Sequence, residues 1–342
     1  MASRRAKQDY RSAGVNINAA DKVKKNIARQ ARSTFVPEVL SDLGFFGGLF
    51  ELEGYREPVL VSSTDGVGTK IKIACALNQH STVGIDLVNH CVNDILTCGA
   101  KPLFFLDYIA VANLVPSTVN SIVDGLTTAL RKVGCALVGG ETAQMPDVYR
   151  HGEYDLVGFI VGVVEKSSIV NGNSIGIGDV LIGLPSSGVH TNGYSLVRMV
   201  FNTDDNPAGL ECFYPELGRT LGEELLEPHE CYYHILSPHL PLIKGMAHIT
   251  GGGIPGNLPR VLPQGLAAKL HKGSWHVLPI FELIQNKGSI DKREMYSVFN
   301  MGIGMIVVCT LTDVNTLLSR LPGATVIGEV MEQKGRQRVV IS

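Results

Sequence analysis

Apolar positions along the first half of the chain fall into short runs separated by amphipathic stretches. The apolar run at 59–64 predicts a strand, and 70–77 carries the helical period. A stronger helix is expected over 84–98, an apolar strand over 103–111, and an amphipathic helix over 115–133. A short strand over 136–138 and a long one over 156–165 follow. The stretch 165–179, EKSSIVNGNSIGIGD, is polar and turn-rich, which predicts a domain boundary there. Beyond it the alternation resumes, with strands near 180–184, 305–311, 324–330 and 338–341 and helices near 194–200, 217–226 and 232–243. The pattern predicts an α/β or α+β protein of two domains, residues 1–170 and 171–342.

Composition narrows this picture. Lys plus Arg number 30 against 32 Asp plus Glu, with no block of one sign, so neither a nucleic-acid nor a membrane-surface role is expected. The opening MASRRAKQDYRS lacks an apolar core, and the longest apolar runs are strand-length, so no signal peptide or membrane span is read. The seven cysteines form no C-x-x-C pair and most sit in apolar runs, as expected of reduced thiols in a cytoplasmic protein. Glycine is the anomaly: 38 of 342 residues, clustered in polar loops, point to backbone placed close to a ligand.

Four glycine-containing segments carry candidate chemistry. In STDGVGTK (63–70), Gly66 and Gly68 free backbone N–H groups to face an anion, with Thr69 and Lys70 at a helix start where phosphate is favoured. The same residues also suit an ordinary strand-to-helix turn, and no Walker A pattern is present. In 86–94, DLVNHCVND, the spacing puts Asp86, His90, Asn93 and Asp94 on one helix face, which is either a functional face or the wet side. Gly139, Gly140, Glu141 and Thr142 stand just past a short strand. Asp65, Asp94 and Glu141 together offer hard oxygen ligands that suit Mg2+, whereas no Cys/His spacing suits zinc. The fourth segment, SSGVHTNGYS (186–195), contains Ser187, Gly188, His190, Thr191 and Asn192; a His between glycines at a strand-to-helix turn is poorly placed for a core, so a functional role is favoured over a core histidine, and nearby hydroxyls could orient it. Gly251, Gly252 and Gly253 begin a chance match to G-x-G-x-x-G that no strand precedes and Pro255 interrupts, so a Rossmann dehydrogenase is rejected; an anion at a helix beginning near Asn257 remains open.

Taken together, STDGVGTK, GIDLVNHCVNDIL (84–96), PLFFLDY (102–108), LVGGETAQMP (137–146), SSGVHTNGYSLVR (186–198), HITGGGIPGNLPRVLP (248–263) and EMYSVFNMGIGM (294–305) resemble the phosphoribosylformylglycinamidine cyclo-ligases, or aminoimidazole ribonucleotide synthetases, of purine biosynthesis. The resemblance runs from about Tyr10 to Ile341. It implies a homodimer whose N-terminal domains pair their sheets into a β-barrel, with active sites near that interface. It implies ATP and Mg2+, and conversion of formylglycinamidine ribonucleotide to aminoimidazole ribonucleotide, ADP and phosphate.

By the same resemblance, Asp65, Asp94 and Glu141 match metal positions, and Gly66, Gly68, Thr69 and Lys70 the phosphate loop, with Asn93 and Gly139–Thr142 beside the nucleotide. Ser187, Gly188, His190, Thr191, Asn192 and Gly251–Gly253 face the substrate, with His190, Lys70 and Asp94 as catalytic groups. The family's lysine in the basic N-terminal segment is replaced about Ala28 and Arg29, although Lys24 and Lys25 are close. A selenophosphate synthetase would want a cysteine that residues 1–74 do not supply, and a thiamine-phosphate kinase would lack HTNGYSLVR.

Overall fold

A computed structural model describes residues 17–342; the reading placed on the opening MASRRAKQDYRS lies outside them. The elements run α1 (Ile17–Arg32), β1 (Pro58–Gly66), α2 (Lys70–Leu77), α3 (Ser81–Leu96), β2 (Lys101–Val111), α4 (Pro116–Val133), β3 (Ala136–Gln144) and β4 (Tyr154–Glu165). After the turn-rich stretch come β5 (Val180–Pro185), α5 (Tyr194–Phe201), the small hairpin β6 (Phe213–Tyr214) and β7 (Arg219–Thr220), α6 (Leu221–Leu225), α7 (Tyr233–Leu236) and β8 (Gly245–His248). The chain ends with α8 (Gly253–Asn257), β9 (Leu266–Leu270), α9 (Pro279–Gly288), α10 (Lys292–Val298), β10 (Ile303–Cys309), α11 (Val314–Arg320), β11 (Thr325–Glu332) and β12 (Val339–Ile341).

Two mixed sheets carry these elements. The first has order β1-β4-β2-β3, antiparallel except for β2 with β3; the second has order β12-β9-β11-β5-β10-β8, parallel only between β12 and β9. The stretch 165–179 runs between the sheets, but the core does not divide there. One cluster joins Leu87, Val88 and Leu126 of the first half to Val189, Val197, Phe281 and Phe299 of the second.

Helix α3 is held unusually close to α4. A β-carbon at Gly84 would lie 2.2 Å from the Ile122 carbonyl oxygen, and one at Gly125 would lie 1.9 Å from that of Ser81. Only glycine at both positions lets the backbones approach this far, which fixes where the polar face of α3 points.

Two expectations change here. Glu141 and Thr142 are not in a loop past a short strand, because β3 continues to Gln144 through pairing with β2. The Gly251–Gly253 segment does follow a strand, β8, and the short helix after it begins at Gly253 rather than near Asn257. The cysteines of the described residues are all free, three of them buried; Cys212 departs from the expectation by being exposed. No helix of the described residues is long and apolar enough to cross a membrane.

Candidate active site

The polar face of α3 is not a wet side. Asp86 and Asn93 are fully buried and His90 nearly so, clasped against residues 227–232 of the second half. Asn89 Nδ2 donates to the His229 carbonyl and Asn93 Nδ2 to that of Glu230, both at 2.7 Å, while the Tyr232 N–H donates to Asn93 Oδ1 at 2.9 Å. Asn93 is therefore spent on joining the two halves and does not present its amide to a nucleotide.

Lys70 is used in the same seam. Its Nζ lies 2.8 Å from Asp86 Oδ2 and donates to the Glu227 carbonyl at 2.7 Å, with both side chains fully buried. Burial pushes the lysine down and the aspartic acid up, each opposed by the partner's charge. The expected phosphate donor at the head of α2 thus points inward, away from the Gly66–Gly68 loop. That loop keeps its accessible backbone at Gly68, and Thr69 Oγ1 lies 3.1 Å from Ser195 Oγ of α5.

Three histidines, from α3, the 227–232 segment and β8, meet beside this seam. His90 Nε2 lies 2.8 Å from Asp65 Oδ2, and His90 Nδ1 lies 2.9 Å from the Thr191 hydroxyl. That hydroxyl is 3.4 Å from His229 Nδ1, His229 Nε2 is 2.9 Å from His248 Nε2, and His248 Nδ1 is 2.8 Å from Asp94 Oδ1. Ser63 donates to the other Asp94 oxygen at 2.9 Å.

A proton count follows from this chain of contacts. Five hydrogen bonds link Asp65 to Asp94, whereas neutral His90, Thr191, His229 and His248 bring one bridging hydrogen each. The chain closes only with one further proton. Burial pushes His90 down, but Asp65, Asp94 and Asp86 outweigh it and hold the ring above its ordinary value, so His90 takes the charge. Burial pushes Asp65 and Asp94 up, yet the facing histidines hold both carboxyls below the usual range. Both stay ionised and only partly covered, with side chains 41% and 29% exposed.

Ionised, partly exposed carboxylates are the kind of oxygen ligand a hard, hydrated cation takes. Glu141 does not join them. It lies on β3, three strands from β1 in the order β1-β4-β2-β3, or ~14 Å at ordinary strand spacing. His90 and His248 instead bring nitrogen close to Asp94, with ligand atoms of all three within 4.8 Å, a grouping the local sequence spacing concealed.

His190 also departs from its expected setting. Its ring is 1% exposed and stacks on His229 at 3.9 Å, and its Nε2 accepts the Ser187 N–H at 3.2 Å. Burial, reinforced by His248, Lys70 and His90, pushes it well below the ordinary histidine value, so it is neutral. The room for the ring comes from another part of the chain: a β-carbon at Gly304 of β10 would lie 2.6 Å from His190 Cε1. Ser187 donates to the Pro228 carbonyl at 2.6 Å and Thr191 is buried in the histidine chain. Asn192 remains half-buried beside Gly251, and Gly251 and Gly252 are exposed, so these keep access to a ligand; Gly253 and Gly188 are buried.

Cavities adjoin these residues. A cleft of about 410 Å³ runs between β1, α3, β8 and the segment after α8, with Ser63, Asp94, His248 and Arg260 in its walls. A second cavity, of about 460 Å³, lies between α1 and β3 and contains Lys24, Lys25, Asp107 and Gly139–Thr142. The expected nucleotide residues are thus split between the 65–70 loop and this second cavity.

The arrangement is that of a two-sheet protein with ligand loops at the seam between its halves. Residues 52–164 match the N-terminal domain of AIR synthase related proteins and 176–341 the C-terminal domain. Similar structures include thiamine-monophosphate kinase from Stenotrophomonas maltophilia K279a, 14% identical with TM-score 0.66 over 93% of this chain and 96% of that one. The hydrogenase maturation protein HypE of E. coli is 16% identical with TM-score 0.62 over 94% of each chain. Sequence relatives are far closer. Phosphoribosylformylglycinamidine cyclo-ligase of Thermoanaerobacter sp. is 51% identical over 96% of this chain and 98% of its own, and that of Caldicellulosiruptor bescii 52% identical over 97% and 99%. The chain belongs to the phosphoribosylformylglycinamidine cyclo-ligase family of AIR synthase related proteins.

Proposed function

We propose that this protein is a cytoplasmic, homodimeric, Mg2+-using enzyme that closes formylglycinamidine ribonucleotide to aminoimidazole ribonucleotide at the expense of ATP. The observation that carries the reading is identity of about one half with named cyclo-ligases along nearly the whole chain. The Asp94–His248 pair in the cleft wall, linked through the histidine chain to the Asp65–His90 pair, offers acid–base and anionic groups of the kind the reaction calls for. A related fold has been solved in complex with ATP, which supports the nucleotide.

The formamide oxygen is a poor leaving group until it receives the γ-phosphoryl of ATP. The amidine nitrogen then attacks the activated carbon; the new C–N bond closes the ring as the C–O bond breaks and phosphate departs. Mg2+ held by Asp65 and Asp94 would neutralise charge on the phosphoryl oxygens. The chain's own residues orient the reactants and accept the amidine proton, through His248 and Asp94 into the histidine chain. Lys70, buried in its ion pair, holds the seam rather than the phosphates.

Pairing with a second copy is supported by apolar side chains left open on and near the first sheet: Leu60 is 61% exposed, Phe45 70% and Phe46 fully. A partner sheet across that face would cover them and close a barrel. The deciding assay is phosphate release from ATP with and without formylglycinamidine ribonucleotide. Substrate-dependent release with equal formation of aminoimidazole ribonucleotide supports the reading, and release that ignores the substrate overturns it. Sedimentation at micromolar concentration checks the dimer: a stable species at the 36.8 kDa chain mass would count against it.

A further inference from the structure

We infer that Arg260 binds the 5′-phosphate of the ribonucleotide substrate and so sets which way it lies in the cleft. The inference rests on the cyclo-ligase reading and deepens it. Among the described residues lining the 410 Å³ cleft, Arg260 is the one lysine or arginine. It has no carboxylate partner among the described residues, and its guanidinium makes one long hydrogen bond, to Asn257 Oδ1 at 3.3 Å. Asn257 is itself fixed: it is 3% exposed, and its Nδ2 donates to the carbonyls of Thr250, Gly251 and Gly253 at 3.3, 3.2 and 2.9 Å. An arginine rooted on a rigid turn, unpaired, with most of its donor fork open to a cleft, is built for a phosphate or carboxylate.

The rest of the cleft decides between possible anions. Asp94, hydrogen-bonded by His248 and Ser63, lies in the same walls. The cleft is therefore dipolar, with a cation on one side and an anion on another. Formylglycinamidine ribonucleotide has the matching polarity: a phosphate dianion at one end and a basic amidine at the other. Seating the phosphate on Arg260 carries the amidine towards Asp94 and His248, where its proton is to be accepted.

The test compares wild type with Arg260→Ala and Arg260→Lys, using the ribonucleotide and the corresponding riboside that lacks the 5′-phosphate. For wild type, removing the phosphate should lower kcat/KM by ~10²-fold, as expected for a charge-assisted bidentate contact. Arg260→Ala should show a loss of similar size with the ribonucleotide, carried mainly by KM, and little further loss with the riboside. Arg260→Lys should lie between them, because it keeps the charge but not the fork. An unchanged KM for the ribonucleotide in Arg260→Ala, equal losses on riboside and ribonucleotide, or a rise confined to the KM for ATP would each overturn the inference. Calorimetric binding of the ribonucleotide without ATP separates this inference from the functional reading. Arg260-dependent binding without turnover sinks only the cyclo-ligase reading. Normal turnover with an indifferent Arg260→Ala sinks only this inference, and wild type that neither binds nor turns over sinks both.

Discussion

His229 Nε2 and His248 Nε2 face one another at 2.9 Å between two buried rings, so one hydrogen serves both. His248 donates its one ring hydrogen, on Nδ1, to Asp94, and His229 presents its other nitrogen to Thr191. The shared hydrogen makes each ring's tautomer a consequence of the next.

His229→Leu interrupts the chain while leaving the Asp65–His90 and Asp94–His248 pairs in place. It should lower kcat by ~10²- to 10⁴-fold, the usual worth of a positioned acid–base group, with a smaller effect on the KM for ATP. Steady-state kinetics beside a thermal melt decide this; a folded variant with wild-type kcat would remove the histidine chain from the mechanism.

Lys70→Met tests a structural role where the sequence pointed to a phosphate contact. Deleting one member of a buried pair leaves Asp86 uncompensated and should cost ~3–5 kcal/mol. The double variant Lys70→Met/Asp86→Leu should recover much of that loss. Denaturant melts of the three proteins measure the coupling; a stable Lys70→Met protein whose only defect is a higher KM for ATP would restore the phosphate role.

Much of this architecture was legible in the sequence, and the exceptions share a cause. Helix α2 spans 70–77 as its own period predicts, and β1, β2 and β4 follow from apolar runs. Those signals are local. The separation of Glu141 from Asp65 depends on strand order, which arises from pairings across the whole first half. The buried face of α3 was visible as a polar stripe, but what covers it comes from 227–232, more than 130 residues away. His229 lies in an irregular segment with no periodicity, so it was missed. Short elements such as β8 and β9 were missed for the same reason: they are stabilised by their neighbours in the sheet more than by their own pattern.

Asp107 offers a pH signature away from the histidines. Burial, aided by the charge of Glu141, pushes its carboxyl up to about 7 from an ordinary 3.8. Between those values the unfolded chain releases the proton and the folded chain keeps it, so the contribution to stability falls as pH rises and levels off above the folded value. Asp107→Asn has no proton to lose. It should gain stability over wild type between pH 5 and pH 8, by on the order of 2–4 kcal/mol. Melts across that range check it, and a pH-independent difference would contradict the buried neutral acid.

His190 poses the sharpest contrast between its sequence context and its structure. The ring lies under His229, accepts the Ser187 N–H, and sits in a left-handed backbone conformation with φ of 63°. That conformation strains most residues but suits asparagine. His190→Ala leaves the partly buried Ser187 N–H without its acceptor, opens a void beside Gly304 and keeps the strain, so it should cost ~2–4 kcal/mol. The melting temperature should fall by roughly 4–16 °C at 2–4 °C per kcal/mol. His190→Asn supplies an amide oxygen for the Ser187 N–H and relieves the backbone, and it should recover most of the loss. Activity follows the fold under this account: Ala low because His229 is no longer supported from below, Asn within several-fold of wild type. If His190 instead carries the ring-closure proton, Asn would melt like wild type yet lose 10²-fold or more in kcat. A thermal melt and a kcat measurement on the two variants therefore separate a ring that supports its neighbour from one that takes part in the reaction.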